Sequence, residues 1–270
     1  MSTLSYAMRD SATMLRRDLR HSVRNAAMTI SGLLVPIVML VLFVYVFGGA
    51  IGAGLGGASL GGAYINYVTP AIFILTAVSG MSTTAVNLSL ELQQGIIARF
   101  RTMAISPTSV LTGQVIGSLV RTMASVVLVT VVALFAGFHP STGPAAWLVA
   151  LGLITLITFA LTWMAVVFGI VGKTPGGANS LSFLFQILIL TSSAFVRPET
   201  MSGWVRGFAE YQPFTPIIDT LRGLLLGTPI GNSAVFAIAW CVILTLVGFL
   251  WARAAYNRTS ARQEEQPRLI

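Results

Sequence analysis

The sequence predicts an all-α membrane protein with an N-terminal amphipathic interfacial helix, six transmembrane helices and a re-entrant helical hairpin before the last span. Three observations predict it. Hydrophobic residues make up 55% of the 270 residues and charged residues 9%, with a mean hydropathy of +0.84. A soluble domain carries about 25% charge, so most of this surface has to face hydrocarbon or other apolar helices. Apart from Arg121, the few charges flank long apolar stretches instead of interrupting them. The flanking basic residues also concentrate at alternate ends of those stretches, the asymmetry of a positive-inside protein.

Each span follows from a charge-free gap, because a charge at the bilayer centre is costly. The gap from Asn25 to Leu90 is 66 residues long and is broken by the glycine-rich stretch Gly48-Gly49 to Gly61-Gly62. A helix needs about 20 residues to cross, so the gap holds two spans, Met28–Phe47 and Tyr64–Asn87. The gap from Thr122 to Gly172 is 51 residues long and is broken by Gly137-Phe138-His139-Pro140-Ser141-Thr142-Gly143-Pro144. It holds two more, Thr112–Ala136 and Ala145–Val171. The gap from Thr174 to Val196 holds a fifth, starting near Asn179, and that from Gly223 to Ala252 a sixth, Ser233–Ala252. The expected organisation is one domain over 1–270: a head at 1–26, a six-span bundle at 28–252 and a tail at 253–270.

Six crossings put both termini on one side, and the basic residues say which. Arg9, Arg16, Arg17, Arg20, Arg24, Arg99, Arg101, Lys173, Arg253, Arg258, Arg262 and Arg268 fall on one side. Only Arg197, Arg206 and Arg222 fall on the other, accompanied by Glu199, Glu210 and Asp219. The expectation is a multi-pass protein of the plasma (inner) membrane with both termini cytoplasmic. The net charge of +8 is thus a membrane feature and not a nucleic-acid patch. The long basic stretch before the first apolar run does not fit a signal peptide. The single Cys241 excludes an intramolecular disulfide.

Three segments depart from ordinary spans, and three of the spans carry polar residues. In the head, Leu4, Met8, Ala12, Leu15, Leu19 and Val23 form one helical stripe flanked by Arg9, Arg16, Arg20 and Arg24. This predicts an amphipathic helix on the inner leaflet, the alternative being a basic tail without defined structure. The cytoplasmic loop from Ser89 to Leu111 carries Ile96, Ile97, Phe100 and Met103 at helical spacing, for docking into a partner's groove or lying on the bilayer. Arg197 to Ile230 is too polar to cross and too apolar for a free loop. Two half-helices dipping into the outer leaflet explain it, with Trp204, Phe208 and Tyr211 on one face, as does an extracellular loop with interfacial aromatics. Finally, Thr76, Gly80, Thr83 and Asn87 in the second span, and Ser182, Gln186 and Ser193 in the fifth, make polar stripes that either line a pathway or knit helices together. Arg121, within the third span, either snorkels to the cytoplasmic surface or pairs inside the bundle.

Chemistry of its own is not legible in the chain. Gly172-Lys173-Thr174 echoes the end of a phosphate-binding loop, but Val167 stands where that motif needs a glycine. His21 and His139 are far apart and lack ligand partners at metal spacing. No serine sits in a nucleophile elbow, and no carboxylate lies inside an assigned span.

The chain resembles the type-2 ABC exporter permeases, and among them the daunorubicin-resistance DrrB-like branch. The resemblance runs from the basic head through Pro36, Val44-Tyr45-Val46-Phe47-Gly48-Gly49 and Tyr67-Val68-Thr69-Pro70-Ala71. It continues through Glu91, Gly95, Arg99-Phe100-Arg101 and Ser106-Pro107-Thr108, which are similar to the family's coupling segment. Its most specific part is late: Ser192-Ser193-Ala194-Phe195, Met201-Ser202, Pro213-Phe214-Thr215 and Arg222.

The resemblance implies a permease subunit of an ATP-driven exporter, moving a drug, lipid or other amphipathic substrate outward. It implies no cofactor and no catalysis in this chain, since ATP and Mg would be bound by a separate ABC ATP-binding subunit. It also implies a second permease subunit, as homodimer or heterodimer, membrane lipids as neighbours, and no nucleic acid. The implied ATPase-coupling residues are Glu91, Gly95, Arg99, Phe100 and Arg101. Candidate pathway residues are Thr76, Thr83, Asn87, Gln186 and Ser193, and hairpin residues Glu199, Pro213, Phe214 and Arg222. Two other functions are weighed against this one. A proton-coupled drug antiporter needs a titratable group within the bundle, which the assigned spans lack. A non-transporting assembly or immunity factor would bind a partner without moving a substrate.

Overall fold

The computed structural model describes residues 26–47, 60–94, 107–196, 198–201 and 203–264. The expected head helix, the glycine-rich stretch from Gly48 to Ser59 and the loop core from Gly95 to Ser106 lie outside the described residues. Those described are helical, with no strand among them: α1 (Ala26–Val41, continued by a π-helical turn over Leu42–Phe47), α2 (Leu60–Gln93), α3 (Pro107–Phe135), α4 (Pro144–Val171), α5 (Pro175–Leu190), α6 (Gly203–Tyr211), α7 (Phe214–Leu226) and α8 (Ser233–Glu264).

Among the described residues four stretches are long and apolar enough to cross a membrane: Tyr64–Gln93, Gly113–Phe135, Pro144–Val171 and Ser233–Ala255. They match the second, third, fourth and sixth predicted spans. At the cytoplasmic end of the predicted topology, α2 runs past the predicted Asn87 to Gln93 and α8 runs past its apolar part, carrying the expected tail as helix to Glu264. The other two predicted spans correspond to shorter apolar helices, Leu33–Val46 and Pro175–Leu190. At 1.5 Å per residue the 16 residues of α5 reach about 24 Å, short of the ~30 Å hydrocarbon core.

The helices are sorted by how much lipid they can see. In the apolar stretch of α2 78% is buried, and in that of α4 67%, against 28% for α3 and 17% for α8. The core therefore runs along α2 and α4, with α1, α3, α5 and α7 packed against α2 and α8 closing on α4 and α7. Close approach is made at small residues. A Cβ added at Gly80 would lie 2.3 Å from Thr122 Oγ1 of α3. One added at Gly169 of α4 would lie 2.9 Å from Leu88 Cβ of α2. Gly80, in the predicted stripe of α2, thus serves helix packing. Hydroxyls inside the bundle turn back on their own helices, Thr69 to the Ile65 carbonyl, Thr158 to Ile154 and Thr162 to Thr158, each at 2.7 Å. No polar hydrogen is then left facing hydrocarbon at these positions.

The turn between α4 and α5 contains the triplet Gly172-Lys173-Thr174. Its groups serve the fold: Thr174 caps α5 by accepting from the Gly177 N–H at 3.1 Å, with Pro175 at the first helical position. The Lys173 carbonyl accepts from Gln93 Nε2 at 3.1 Å, fastening the end of α2 to this turn.

Candidate functional site: the Arg222 cluster and its cavity

At the opposite end of the bundle the chain between α5 and α8 folds back on itself. Helix α5 stops at Leu190, and residues 191–195 form an irregular turn in which Ser192, Ser193, Ala194 and Phe195 are buried. After a short 3-10 turn, Pro198–Thr200, α6 and α7 make two short helices joined at Gln212-Pro213. The amphipathic α6 exposes Trp204, Phe208 and Tyr211 and buries Ala209, as their spacing predicted. Helix α7 is almost wholly buried, with Phe214 0% exposed and edge-on to Phe185 of α5. It ends at Gly227, whose φ of 71° is a left-handed cap with its N–H on the Gly223 carbonyl. The loop between α3 and α4 is tied to this end by hydrogen bonds from the Ser141 N–H and the Thr142 hydroxyl to the Leu225 carbonyl, and from the His139 N–H to Asn66 Oδ1.

Arg222 is the centre of the cluster. It is 8% exposed, and a buried charge is tolerable only when paired and fully hydrogen-bonded. Its five N–H donors match five acceptors. Nε donates to the Tyr67 carbonyl (3.0 Å); Nη1 donates to Asp219 Oδ1 (2.7 Å) and Ser193 Oγ (3.3 Å); Nη2 donates to the carbonyls of Ser193 and Ala194. The guanidinium also stacks over the Tyr67 ring, 3.7 Å from its centroid. The carbonyls that the α5 turn cannot satisfy within a helix are thereby satisfied by a side chain from α7.

The neighbours reinforce the same joint. The Tyr67 hydroxyl donates to the Ser193 carbonyl at 2.8 Å and the Tyr64 hydroxyl to the Phe195 carbonyl at 3.3 Å. Ser193 donates its hydroxyl to Asp219 at 2.9 Å and its N–H to Thr215 Oγ1 at 3.1 Å. Helix α2, the α5 turn and α7 are thus bound into one unit.

Above this floor opens a cavity of about 470 Å³. Buried Thr215 and Arg222 and half-buried Tyr67 lie deepest, Phe236 and Trp240 of α8 form one wall, and exposed Glu199, Glu210 and Tyr211 stand at the rim. Arg206 meets Glu210 at 2.7 Å across one turn of α6, and that hydrogen bond raises the guanidinium pKa further above its ordinary value.

The sequence-predicted residues separate into groups. Ser193, Pro213, Phe214 and Arg222 come together at the hairpin, with Pro213 preceding α7, and Glu199 stands at the cavity rim. Ser193 is not on the face of α5 but in the turn beyond its end. Thr76 is 2% exposed and bonds the Ile72 carbonyl, while Thr83 bonds that of Ser79. Thr83, Asn87 and Gln186 are half-buried, and α2 meets α5 through Ser82 and Asn179 at 2.9 Å. Arg121 donates to Thr84 of α2 at 3.4 Å, a polar contact inside the bundle. Glu91 is half-buried near the end of α2; Gly95, Arg99, Phe100 and Arg101 lie outside the described residues. Asp219 and Tyr67 escaped the sequence reading as site residues. Asp219 had a signal, an opposite charge three residues before Arg222 in an apolar helix, whereas Tyr67 is separated from Arg222 by 155 residues.

The ABC-2 type transporter family matches residues 10–226, from the basic head through the hairpin. The chain belongs to the ABC-2 type transporter family. It is thus a multi-pass membrane permease, of a family whose members work with an ABC ATP-binding partner. It is 26% identical over 196 residues to the daunorubicin resistance ABC transporter permease protein DrrB1 of Streptomyces coeruleorubidus, covering 72% of this chain and 67% of that protein. It is 20% identical over 193 residues to the probable doxorubicin resistance ABC transporter permease protein DrrC of Mycobacterium tuberculosis, covering 72% and 70%.

Proposed function

We propose that this chain is the membrane subunit of a drug exporter, carrying a drug, lipid or other amphipathic molecule outward across the inner membrane on energy from a separate ATPase subunit. The observation that carries the proposal is the match over 10–226, which embraces both the loop between α2 and α3 and the Arg222 hairpin. The names of its relatives support a drug as substrate. In this reading the chain is one domain with a head at 1–26, a bundle at 28–252 and a tail at 253–270, and both termini are cytoplasmic. The bundle crosses six times, α1 with its π-turn and α5 with the buried 191–195 turn supplying the two short crossings. Helices α6 and α7 re-enter the outer leaflet. Their broken backbone is tolerated there because protein covers it.

The chain itself catalyses nothing and holds no cofactor; ATP and Mg are bound by the partner. That partner docks on Glu91, Gly95, Arg99, Phe100 and Arg101. A second permease subunit faces this one across a lipid-flanked pathway lined by Thr76, Thr83, Asn87, Gln186 and Ser193. Closure of the ATPase pair moves the docked loop as a lever. Arg99→Glu and Gly95→Pro are expected to leave membrane insertion intact while ATP hydrolysis continues without export, measured on complexes with the ATPase subunit. Normal export by both variants would remove the coupling role from this loop.

A further inference from the structure

We infer that the cavity above Arg222 binds a cation carried on an apolar body, the positive group seated at the rim and the body against the α8 wall. The inference deepens the exporter reading, on which it rests, by naming a chemical class of ligand and a place for it.

Size, charge and wall chemistry point the same way. A volume of about 470 Å³ falls within the ~300–1,000 Å³ of small-molecule sites. Three carboxylates, Glu199, Glu210 and Asp219, line it against one guanidinium, Arg222. The Arg222 donors are already matched to carbonyls, Ser193 and Asp219, so the floor offers an anion nothing. Asp219 keeps 38% of its side chain exposed despite that pairing. Glu210 is held only by an exposed pair with Arg206, 51% and 40% exposed, of a kind worth about 0–1 kcal/mol. Among the described residues no cation pairs with exposed Glu199. Tyr211, Phe236 and Trp240 add aromatic rings, which attract cations through their faces and accept apolar groups. An anionic ligand would meet a lining with three carboxylates and one guanidinium, and a neutral one would leave Glu199 without an ion-pair partner among the described residues. The site also bears on the joint: a cation drawn to Asp219 competes for the carboxylate that accepts from the Ser193 hydroxyl as well as from Arg222, and so loosens the link between α7 and the α5 turn.

The test uses the full chain in nanodiscs of uncharged phospholipid, with tetraphenylphosphonium as probe and empty discs as the partition blank. Saturable binding is expected, with no displacement by tetraphenylborate, which has the same shape and opposite charge. Glu199→Gln with Glu210→Gln should weaken it about tenfold, as should Trp240→Ala, a loss of about 1.4 kcal/mol each. The pair Glu199→Asp and Glu210→Asp should retain it. The two glutamates are exposed, so their variants are expected to melt like the parent chain. Binding no greater than to empty discs, binding unchanged in the Gln variants, or equal binding of tetraphenylborate would overturn the inference. Export is scored separately, by ATP-dependent transport of the complex. Absence of saturable cation binding by the parent chain, with ATP-driven transport intact, removes this inference alone, whereas cation binding without any ATP-driven transport removes the exporter reading.

Discussion

Arg222 can remain charged at 8% exposure only because every donor has an acceptor, and this makes it the residue whose loss costs most. Arg222→Gln strands Asp219 and the Tyr67, Ser193 and Ala194 carbonyls, and removal of one partner of a buried pair costs about 3 kcal/mol or more. The purified protein is expected to melt earlier by the corresponding amount. Arg222→Lys is not expected to rescue it, because a compact ammonium cannot reach acceptors spread around a planar fork. Asp219→Asn should cost only about 1 kcal/mol, since its carboxylate remains partly solvated; an equal or larger loss would mean that Asp219 and not Arg222 organises the joint. The sequence marks Arg222 as the charge that bounds the last apolar gap, and the resemblance places it in the hairpin. What it cannot mark is the acceptors. They are main-chain carbonyls of a turn and of α2, groups every residue carries, and only the fold brings them within reach.

Among the elements, the long spans are readable because charges are scarce inside them: α2 and α4 keep to the charge-free gaps within a few residues, whereas α3 begins before its gap and carries Arg121, and α8 runs on past Ala252 to Glu264. The short ones were harder. The gap from Thr174 to Val196 has the composition of a span, but polar Thr191-Ser192-Ser193 can end a helix early when a neighbour satisfies the freed carbonyls, as Arg222 does. The spacing alone leaves the glycine in the stripe of α2 between pathway and packing, and the contact with α3 settles Gly80 as packing. Gly80→Ala is expected to destabilise by about 1–2 kcal/mol, because the new methyl meets the stiff, β-branched Thr122. Thr122→Ala in the same chain should recover most of that loss. An additive double variant in a thermal-melt cycle would separate the two helices at this point.

At the scale of the molecule, the ends of the bundle sort the chain as its charges do. The Arg222 hairpin, the loop between α3 and α4 and the start of α2 meet at one end, and Gln93 meets Lys173 at the other. The proposed orientation makes Thr200→Cys, in the exposed turn before α6, reactive toward a membrane-impermeant maleimide added to intact cells. Thr174→Cys should react only after permeabilisation, with buried Cys241 giving little background; the reverse pattern would invert the topology. The account stands above all on an ATP-driven path through this chain. Inverted membrane vesicles holding the chain and its ABC ATP-binding partner should accumulate a fluorescent amphipathic drug when ATP is supplied, unaffected by a protonophore and abolished by a catalytically dead ATPase subunit. Accumulation that follows an imposed pH gradient and ignores ATP would contradict it.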